Sequence, residues 1–403
     1  METLEQKHLL VVGGLDHTLA RIEKMGVRYS MLQTPIRVNE RQYGGAQRYA
    51  VMDYERLDET LALARAWHGV DPFDAVVSFT EYGLEPASRV AADLGVAGDN
   101  LAAVRVTRSK PATRALLNKH GLSPVRHRSC ASVADARDFQ RELGGCPIML
   151  KPPAGGLSEG VYLVETPEQL DERWAWTQGF TDEAILAEEF LSGPEYSVES
   201  ISRNGVHEVV VITEKLTTEV PRFIELGHQV PARLGEAAWE GIVDLVTRFL
   251  NVIGQRTGPA HTEIRMTATG PKIIESQTRF GGDQIWELCE LVSGVDLMSE
   301  TIASLLGLPA PDRVPAAAAA AIRFFSYEDV HVVDVAGITA ARSAPGVVRV
   351  LCTLTPGQDL HALVSSDSRQ GYVLAVGDNV ETAVARATAA HDLVQVATEA
   401  RHG

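Results

Sequence analysis

The run Lys272–Gly282 sets a carboxylate, an amide and a guanidinium at alternate positions: Glu275, Gln277 and Arg279. In an extended chain alternate side chains share a face, so these three would form one polar row. A second carboxylate, Glu263, lies upstream within His261–Met266, and Arg265 shares its parity. The turn-forming segment Ala268–Pro271 between them predicts two antiparallel strands with Glu263 opposite Glu275. Two hard oxygen ligands on neighbouring strands suit magnesium carrying nucleotide phosphates. Arg279 beside them suits a site where phosphoryl charge is neutralised during transfer. A hairpin with one solvated polar face would carry the same pattern.

Five further clusters hold groups of the same chemical kind. Ser109 and Pro111 open a helix, as an N-cap and a first-turn proline, with Lys110 between them. An ammonium there opposes the helix dipole unless an anion binds, when both attract it. Lys151 ends an apolar strand that runs into Ala154–Gly160, a glycine-rich loop containing Ser158; such a loop brings backbone N–H groups and a hydroxyl onto phosphate oxygens. It lacks the P-loop signature, and a mobile hairpin reads equally well. The segment Ala184–Glu199 reads as two strand-like pieces around a turn. It is either an apolar hinge that reads an adenine edge, with Glu195 accepting from ribose hydroxyls, or a plain hairpin with acidic decoration. Lys215 follows an apolar strand at 209–212 and could reach phosphates or simply be solvated. Glu225 and His228 sit in an apolar setting, as pocket residues or as a structural pair.

The elements that must position these groups suggest three α/β modules. Residues 8–14 read as a buried strand and tight turn, 74–80 as a second strand, and 86–94 as a helix ending near Gly95. Strands alternating with helices imply a parallel sheet. Gly13-Gly14-Leu15-Asp16 lacks the third glycine of a dinucleotide fingerprint. From Thr107 to about Pro315 short strands come with glycine-rich turns. The alanines at 316–321 favour helix by propensity, but the apolar run that follows points to a strand entering a close-packed region. Gly371–Gly377 reads as a strand, and Asp378-Asn379 as the cap of a helix over 380–397.

Composition bounds the function class. With 403 residues the chain is long enough for two to four domains, and 45% hydrophobic with 22% charged residues is ordinary for a globular protein. A formal net charge of −16 argues against a nucleic-acid partner. No apolar run approaches the roughly 20 residues that span a bilayer, so no membrane partner is expected. The first seven residues do not read as a secretory leader. Cysteines 130, 146, 289 and 352 show neither metal-ligand nor disulfide spacing, and a reducing, cytoplasmic setting is expected.

Taken in order, Lys110, Lys151 with its glycine loop, Glu188–Glu195, Glu263 and the Glu275-x-Gln277-x-Arg279 row resemble the ATP-grasp superfamily, whose D-alanine:D-alanine ligases have a similar hinge. Phe223–Ala232 and Arg279–Asp283 look more like the L-amino-acid ligases of that superfamily. The resemblance covers essentially the whole chain and is strongest over 107–285. It implies an α/β ATP-grasp fold with an N-terminal parallel domain at 1–106, a nucleotide-binding and catalytic region at 107–315 whose lid spans about 125–190, and a small C-terminal α+β lobe at 316–403. It implies that ATP and Mg2+ bind, with Mn2+ able to substitute. Lys110, Lys151, Ser158 and Lys215 would hold phosphates, Glu188, Glu189 and Leu191 would contact adenine, and Glu195 would bind ribose. Glu263 and Glu275 would ligate metal, joined by Gln277, which stands where the family usually has asparagine. Glu225, His228, Arg279 and Gly282 would line the substrate pocket, with Arg279 stabilising an acyl phosphate. The expected activity is an ATP-dependent ligation of a small carboxylic acid to an amine, one of them an amino acid, in a chain that is compatible with a homodimer. A carboxylase of the same fold and a non-catalytic nucleotide-binding protein are the competing readings.

Overall fold

A computed structural model describes residues 7–156, 158–218 and 222–401. Most of the segment read for a leader, and Leu157 of the glycine loop, lie outside the described residues. Strands β1 (His8–Val12), β2 (Arg28–Gln33), β3 (Tyr49–Val51) and β4 (Ala75–Val77) form a parallel sheet in the order β3-β2-β1-β4. All five residues of β1 are buried, as expected for an apolar run covered on both faces. The strand order reverses between β1 and β4, so the loops after these strands flank a crevice of the kind that takes ligands in open α/β sheets. The helix expected at 86–94 begins at Leu84 and ends at Gly95, whose φ of +68° suits glycine.

A second sheet holds β5 (His127–Cys130), β6 (Ile148–Lys151), β7 (Tyr162–Val164) and β8 (Ile185–Glu189), all antiparallel, in the order β5-β8-β6-β7. It has its own core of Phe139, Leu150, Leu170, Trp174 and Ile185 among others. The remaining strands are β9 (Glu195–Arg203), β10 (Val206–Thr217), β11 (Glu225–Val230), β12 (Gly258–Thr267), β13 (Gly270–Gln277), β14 (Ala319–Phe324), β15 (Val330–Ala336), β16 (Val347–Cys352), β17 (Gly371–Gly377) and β18 (Gln395–Ala400). Eight of them form one antiparallel sheet, β13-β12-β9-β10-β11-β14-β17-β16, and β15 pairs with β18. One side of the large sheet packs on the amphipathic helix Glu236–Ile253. The other side shares a core with the first sheet through the helices Ile285–Ser293 and Leu297–Leu306.

Four local expectations change. The two pieces of Ala184–Glu199 are not a hairpin: β8 belongs to the small sheet and β9 to the large one. Residues 190–194 therefore join two sheets. Lys215 does not follow a strand but sits inside β10, which runs to Thr217. The C-terminal helix stops at Leu393, because residues 395–400 pair with β15. The strand expected from Ala316 begins at Ala319. Its alanines win over helix propensity because Ala319 and Ala321 press against Ala383 and Ala387 of that helix, where larger side chains would force the layers apart.

Candidate functional site

The hairpin of β12 and β13 pairs Glu263 with Glu275, with a register shift just after Glu263. Gln277, two residues along the same face, donates Nε2–H to Glu275 Oε1 at 2.8 Å. Its own Oε1 is buried and has no hydrogen-bond partner among the described residues. Two carboxylates at paired positions, with an amide beside one of them, are by chemistry a donor set that fits a hard divalent cation completing its shell with water and phosphate. No group of three or more His, Cys, Asp or Glu side chains poised for a metal occurs among the described residues. β13 ends at Gln277, so Arg279 leaves the row. Its Nε donates to Glu81, at 2.9 Å, in the loop after β4.

Lys110 opens the helix Lys110–Lys119, with Ser109 capping it through Ala112 N–H at 3.3 Å. Its ammonium donates to the Gly155 carbonyl at 2.7 Å and lies 3.5 Å from Glu275. Lys151, at the end of β6, lies 2.7 Å from Glu188, and Arg114 donates to the other carboxylate oxygen at 2.6 Å. Burial would raise the Glu188 pKa, but these two cations hold it down to about 2. The Glu189 carboxylate accepts from the backbone and guanidinium of Arg126 at 2.9 and 2.8 Å. Both hinge carboxylates thus already have protein partners, which leaves backbone atoms and apolar surface as the hinge's offer to a ligand.

Glu195 begins β9 and meets Arg265 at 2.9 Å and Lys215 at 2.8 Å. Lys215 is buried among Glu195, Glu225 and Glu263, the last at 2.7 Å. Burial disfavours its charge, but the three carboxylates outweigh burial and hold its pKa well above the ordinary lysine value. Behind Glu263, His261 pairs with Glu199 at 2.5 Å and approaches Glu263 at 3.4 Å. Burial opposes its protonation, yet Glu199 and Glu263 raise its pKa to about 9.

These groups line two adjoining cavities. The larger, of about 830 Å³, has apolar walls from Met149, Val161, Phe190, Leu191, Phe223 and Ile274, and polar walls that include Lys110, Lys151, Ser158, Glu188, Glu189 and Glu195. The smaller, of about 490 Å³, is lined by Lys215, His228, His261, Gln277, Arg279, Gly282, Asp283, Ile285 and Ser366 among others. Gly156, Glu225, Glu263 and Glu275 border both. Every sequence-selected residue therefore lies on one of the two cavities, although Lys215 lines the smaller one and not the cleft with the other lysines.

Several contributors were not singled out from sequence. Arg114 stands four residues from Lys110 on one helix face, a spacing that could have flagged it. His261 shares the parity of Glu263, but its partner Glu199 comes from register across β12 and β9. Glu81, Ser366 and Arg369 carry no local signal.

Two family matches bear on this geometry. The ATP-grasp domain family matches residues 145–287, and the family described as L-amino acid ligase C-terminal domain 2 matches residues 323–399. The chain belongs to the ATP-grasp superfamily, in its L-amino acid ligase branch. An ATP-grasp domain implies ATP binding. Among relatives of this ATP-grasp chain is an uncharacterised protein of Sinorhizobium fredii, 27% identical over 349 residues, 84% of this chain and 70% of that one. The alanine–anticapsin ligase of Bacillus subtilis is 28% identical over 249 residues, 56% of this chain and 52% of the ligase, so the match spans about half of that enzyme. In structure the chain is similar to an L-amino acid ligase from Bacillus licheniformis, with TM-score 0.83 at 21% identity, covering 98% of this chain and 99% of that one. That likeness establishes the fold. No helix among the described residues is long and apolar enough to cross a membrane.

Proposed function

We propose that the chain is an ATP-dependent carboxylate–amine ligase that joins an amino acid to a second small molecule through an acyl phosphate. The observation that carries this reading is the shared border of the two cavities. A nucleotide in the larger cleft and an acid in the smaller one would meet at Glu263 and Glu275, where the γ-phosphate must be handed over. In this reading 1–106 and 316–403 close the acid chamber around the catalytic region 107–315.

Phe190, Phe223 and Met149 would sandwich adenine, with backbone atoms of the 188–191 hinge at its edge and Glu195 at the ribose. Lys110, Lys151 and Ser158 would take the phosphates, Lys110 exchanging its present Gly155 carbonyl for a phosphoryl oxygen. Glu188 holds Lys151 toward the cleft and Arg114 anchors Glu188. Glu263, Glu275 and Gln277 would hold Mg2+, which neutralises charge on the transferring phosphoryl group. The substrate carboxylate oxygen attacks the γ-phosphorus, the β–γ P–O bond breaks, and ADP leaves. The amine nitrogen then attacks the acyl carbon, orthophosphate leaves with the C–O electrons, and the nitrogen loses its proton. Arg279 would stabilise oxyanion charge in both steps, with Glu81 orienting its guanidinium. Closure of the 154–160 loop would keep water from the acyl phosphate.

Phosphate release measured with ATP, Mg2+ and a matrix of amino acids should be amino-acid dependent and should yield an amide-linked product. Release with bicarbonate alone would move the assignment to a carboxylase. A folded protein that binds ATP but releases nothing with any acid would leave a non-catalytic nucleotide-binding protein.

A further inference from the structure

The smaller cavity has a wall that the general ligase chemistry does not use. Asp283 lines it, and Arg369, 86 residues away in the C-terminal region, reaches the back of Asp283 with Nη1 at 3.0 Å and Nη2 at 2.5 Å from its two carboxylate oxygens. Arg369 is itself fixed: Nη1 donates to the Glu225 carbonyl at 3.1 Å, Nε donates to the Ser366 carbonyl at 2.6 Å, and the guanidinium lies 3.8 Å over the Phe324 ring. The backbone is strained where it presents this group, since Asp283 and Gln284 have φ of +53° and +62° with no glycine at either position. Consecutive left-handed residues persist only where their surroundings hold them. His228 is fully buried, its Nε2 lies 3.5 Å from Asp283, and its Nδ1 has no hydrogen-bond partner among the described residues.

We propose that Asp283, backed by Arg369 and flanked by His228, selects the activated amino acid by its side chain, favouring one that carries an O–H or N–H donor over its apolar isostere. The inference rests on the ligase reading and adds the substrate class. Glu225 borders both cavities, close to where the reacting carboxylate must lie, and suits the α-ammonium. Asp283, His228 and Ile285 line only the smaller chamber, away from the border with the nucleotide cleft, where the side chain would extend. Arg369 occupies the rear of the Asp283 carboxylate, and acceptor capacity on the chamber side stays open. His228 Nε2, 3.5 Å from Asp283 Oδ2, flanks the same carboxylate, and the ring helps wall the chamber beside it. A side-chain hydroxyl, amide or ammonium replaces the water this carboxylate would otherwise hold. An apolar side chain displaces that water and leaves the carboxylate unpaired on the chamber side, which is how polar sites reject analogues that lack the matching group.

Threonine against valine, and asparagine against leucine, are near-isosteric pairs that differ in this donor. Each pair is offered in competition with ATP, Mg2+ and a fixed amine, and the N-terminal residue of the product is read by tandem mass spectrometry. The expected result is a preference of about tenfold or more for threonine and asparagine. In Asp283→Asn, a residue that tolerates the left-handed backbone, the amide oxygen keeps one Arg369 N–H, the other carboxylate oxygen is replaced by an NH2 donor, and the chamber loses the anionic acceptor, so the ratios should collapse toward unity. A merely structural role would lower both members of a pair together and leave the ratio. Thermal upshift of the wild-type protein, with a non-hydrolysable ATP analogue and either member of a pair, gives the same comparison without relying on the variant's folding. Equal or inverted preference in the wild type, or an unchanged ratio in folded Asp283→Asn, overturns this inference while leaving the ligase reading intact. Absence of any amino-acid-dependent release overturns the ligase reading and this inference with it.

Discussion

Glu188 is ionised although its side chain is almost wholly enclosed, because Arg114 and Lys151 each supply a charge-assisted hydrogen bond. Its pKa falls from the ordinary 4.5 to about 2, so folding gains from this group fully above 4.5 and loses that gain as pH drops toward 2. Glu188→Gln should cost on the order of 3 kcal/mol at neutral pH. The gap in denaturant midpoint between wild type and variant should shrink as pH falls from 4.5 toward 2, and a gap independent of pH would remove the carboxylate's charge from the account. Glu275 presents the opposite case. It lies on the border of the cavities with Gln277 and Lys110 as neighbours, and folding needs it little. Glu275→Ala should therefore keep its circular dichroism and melt within about 1 kcal/mol of wild type, while phosphate release falls at least about a hundredfold. Near-normal release from the folded variant would remove Glu275 from the mechanism.

Between β8 and β9 the chain passes from one sheet to another in five residues, and Gly193 makes that passage possible. Its φ is +136°, and any side chain there would run into the Met266 carbonyl. The small sheet has a separate core, so it can move as a unit about this linker. Its glycine loop is held to the rest of the protein by Lys110, through its backbone N–H to Pro153 at 2.9 Å and its ammonium to Gly155 at 2.7 Å. Fixing a loop residue costs roughly 1–2 kcal/mol in chain entropy, which phosphate contacts from Ser158 and backbone N–H groups would have to offset. Amide exchange over the loop should slow markedly when an ATP analogue and Mg2+ are added. Equally slow exchange without nucleotide would mean a preformed cradle and would end the gating proposal.

The whole molecule brings three parts of the chain to one chamber. The parallel sheet contributes Glu81 to Arg279, the central hairpin contributes Glu263 and Glu275, and the C-terminal region contributes Ser366 and Arg369. The core shared by the first sheet and the helices at 285–306 holds the first of these parts in place. In the proposed ligase reading, a terminal phosphate directed to the shared border means cleavage of the β–γ bond. Nucleotide chromatography after turnover should show ADP with orthophosphate, and AMP with pyrophosphate as the main products would sink the acyl-phosphate route.

Local geometry was legible in the residues: the Glu263–Glu275 pairing across a short turn, the Ser109 cap beside Lys110, the strand that ends at Lys151 before a glycine loop, and the parallel sheet at the N-terminus. Each depends on side-chain alternation, caps or turns acting over a few residues. The remaining features came from the packing of segments distant in sequence. It split Ala184–Glu199 between two sheets, enclosed Lys215 in three carboxylates, gave Glu188 its two cations, joined His261 to Glu199 and set Arg369 behind Asp283. It also overrode local propensity where β18 ended the C-terminal helix and where close packing kept the alanines of β14 extended. These outcomes depend on which distant segments the closed core brings together, and on the charge and dielectric each side chain then meets, neither of which a periodicity of two or 3.6 residues records.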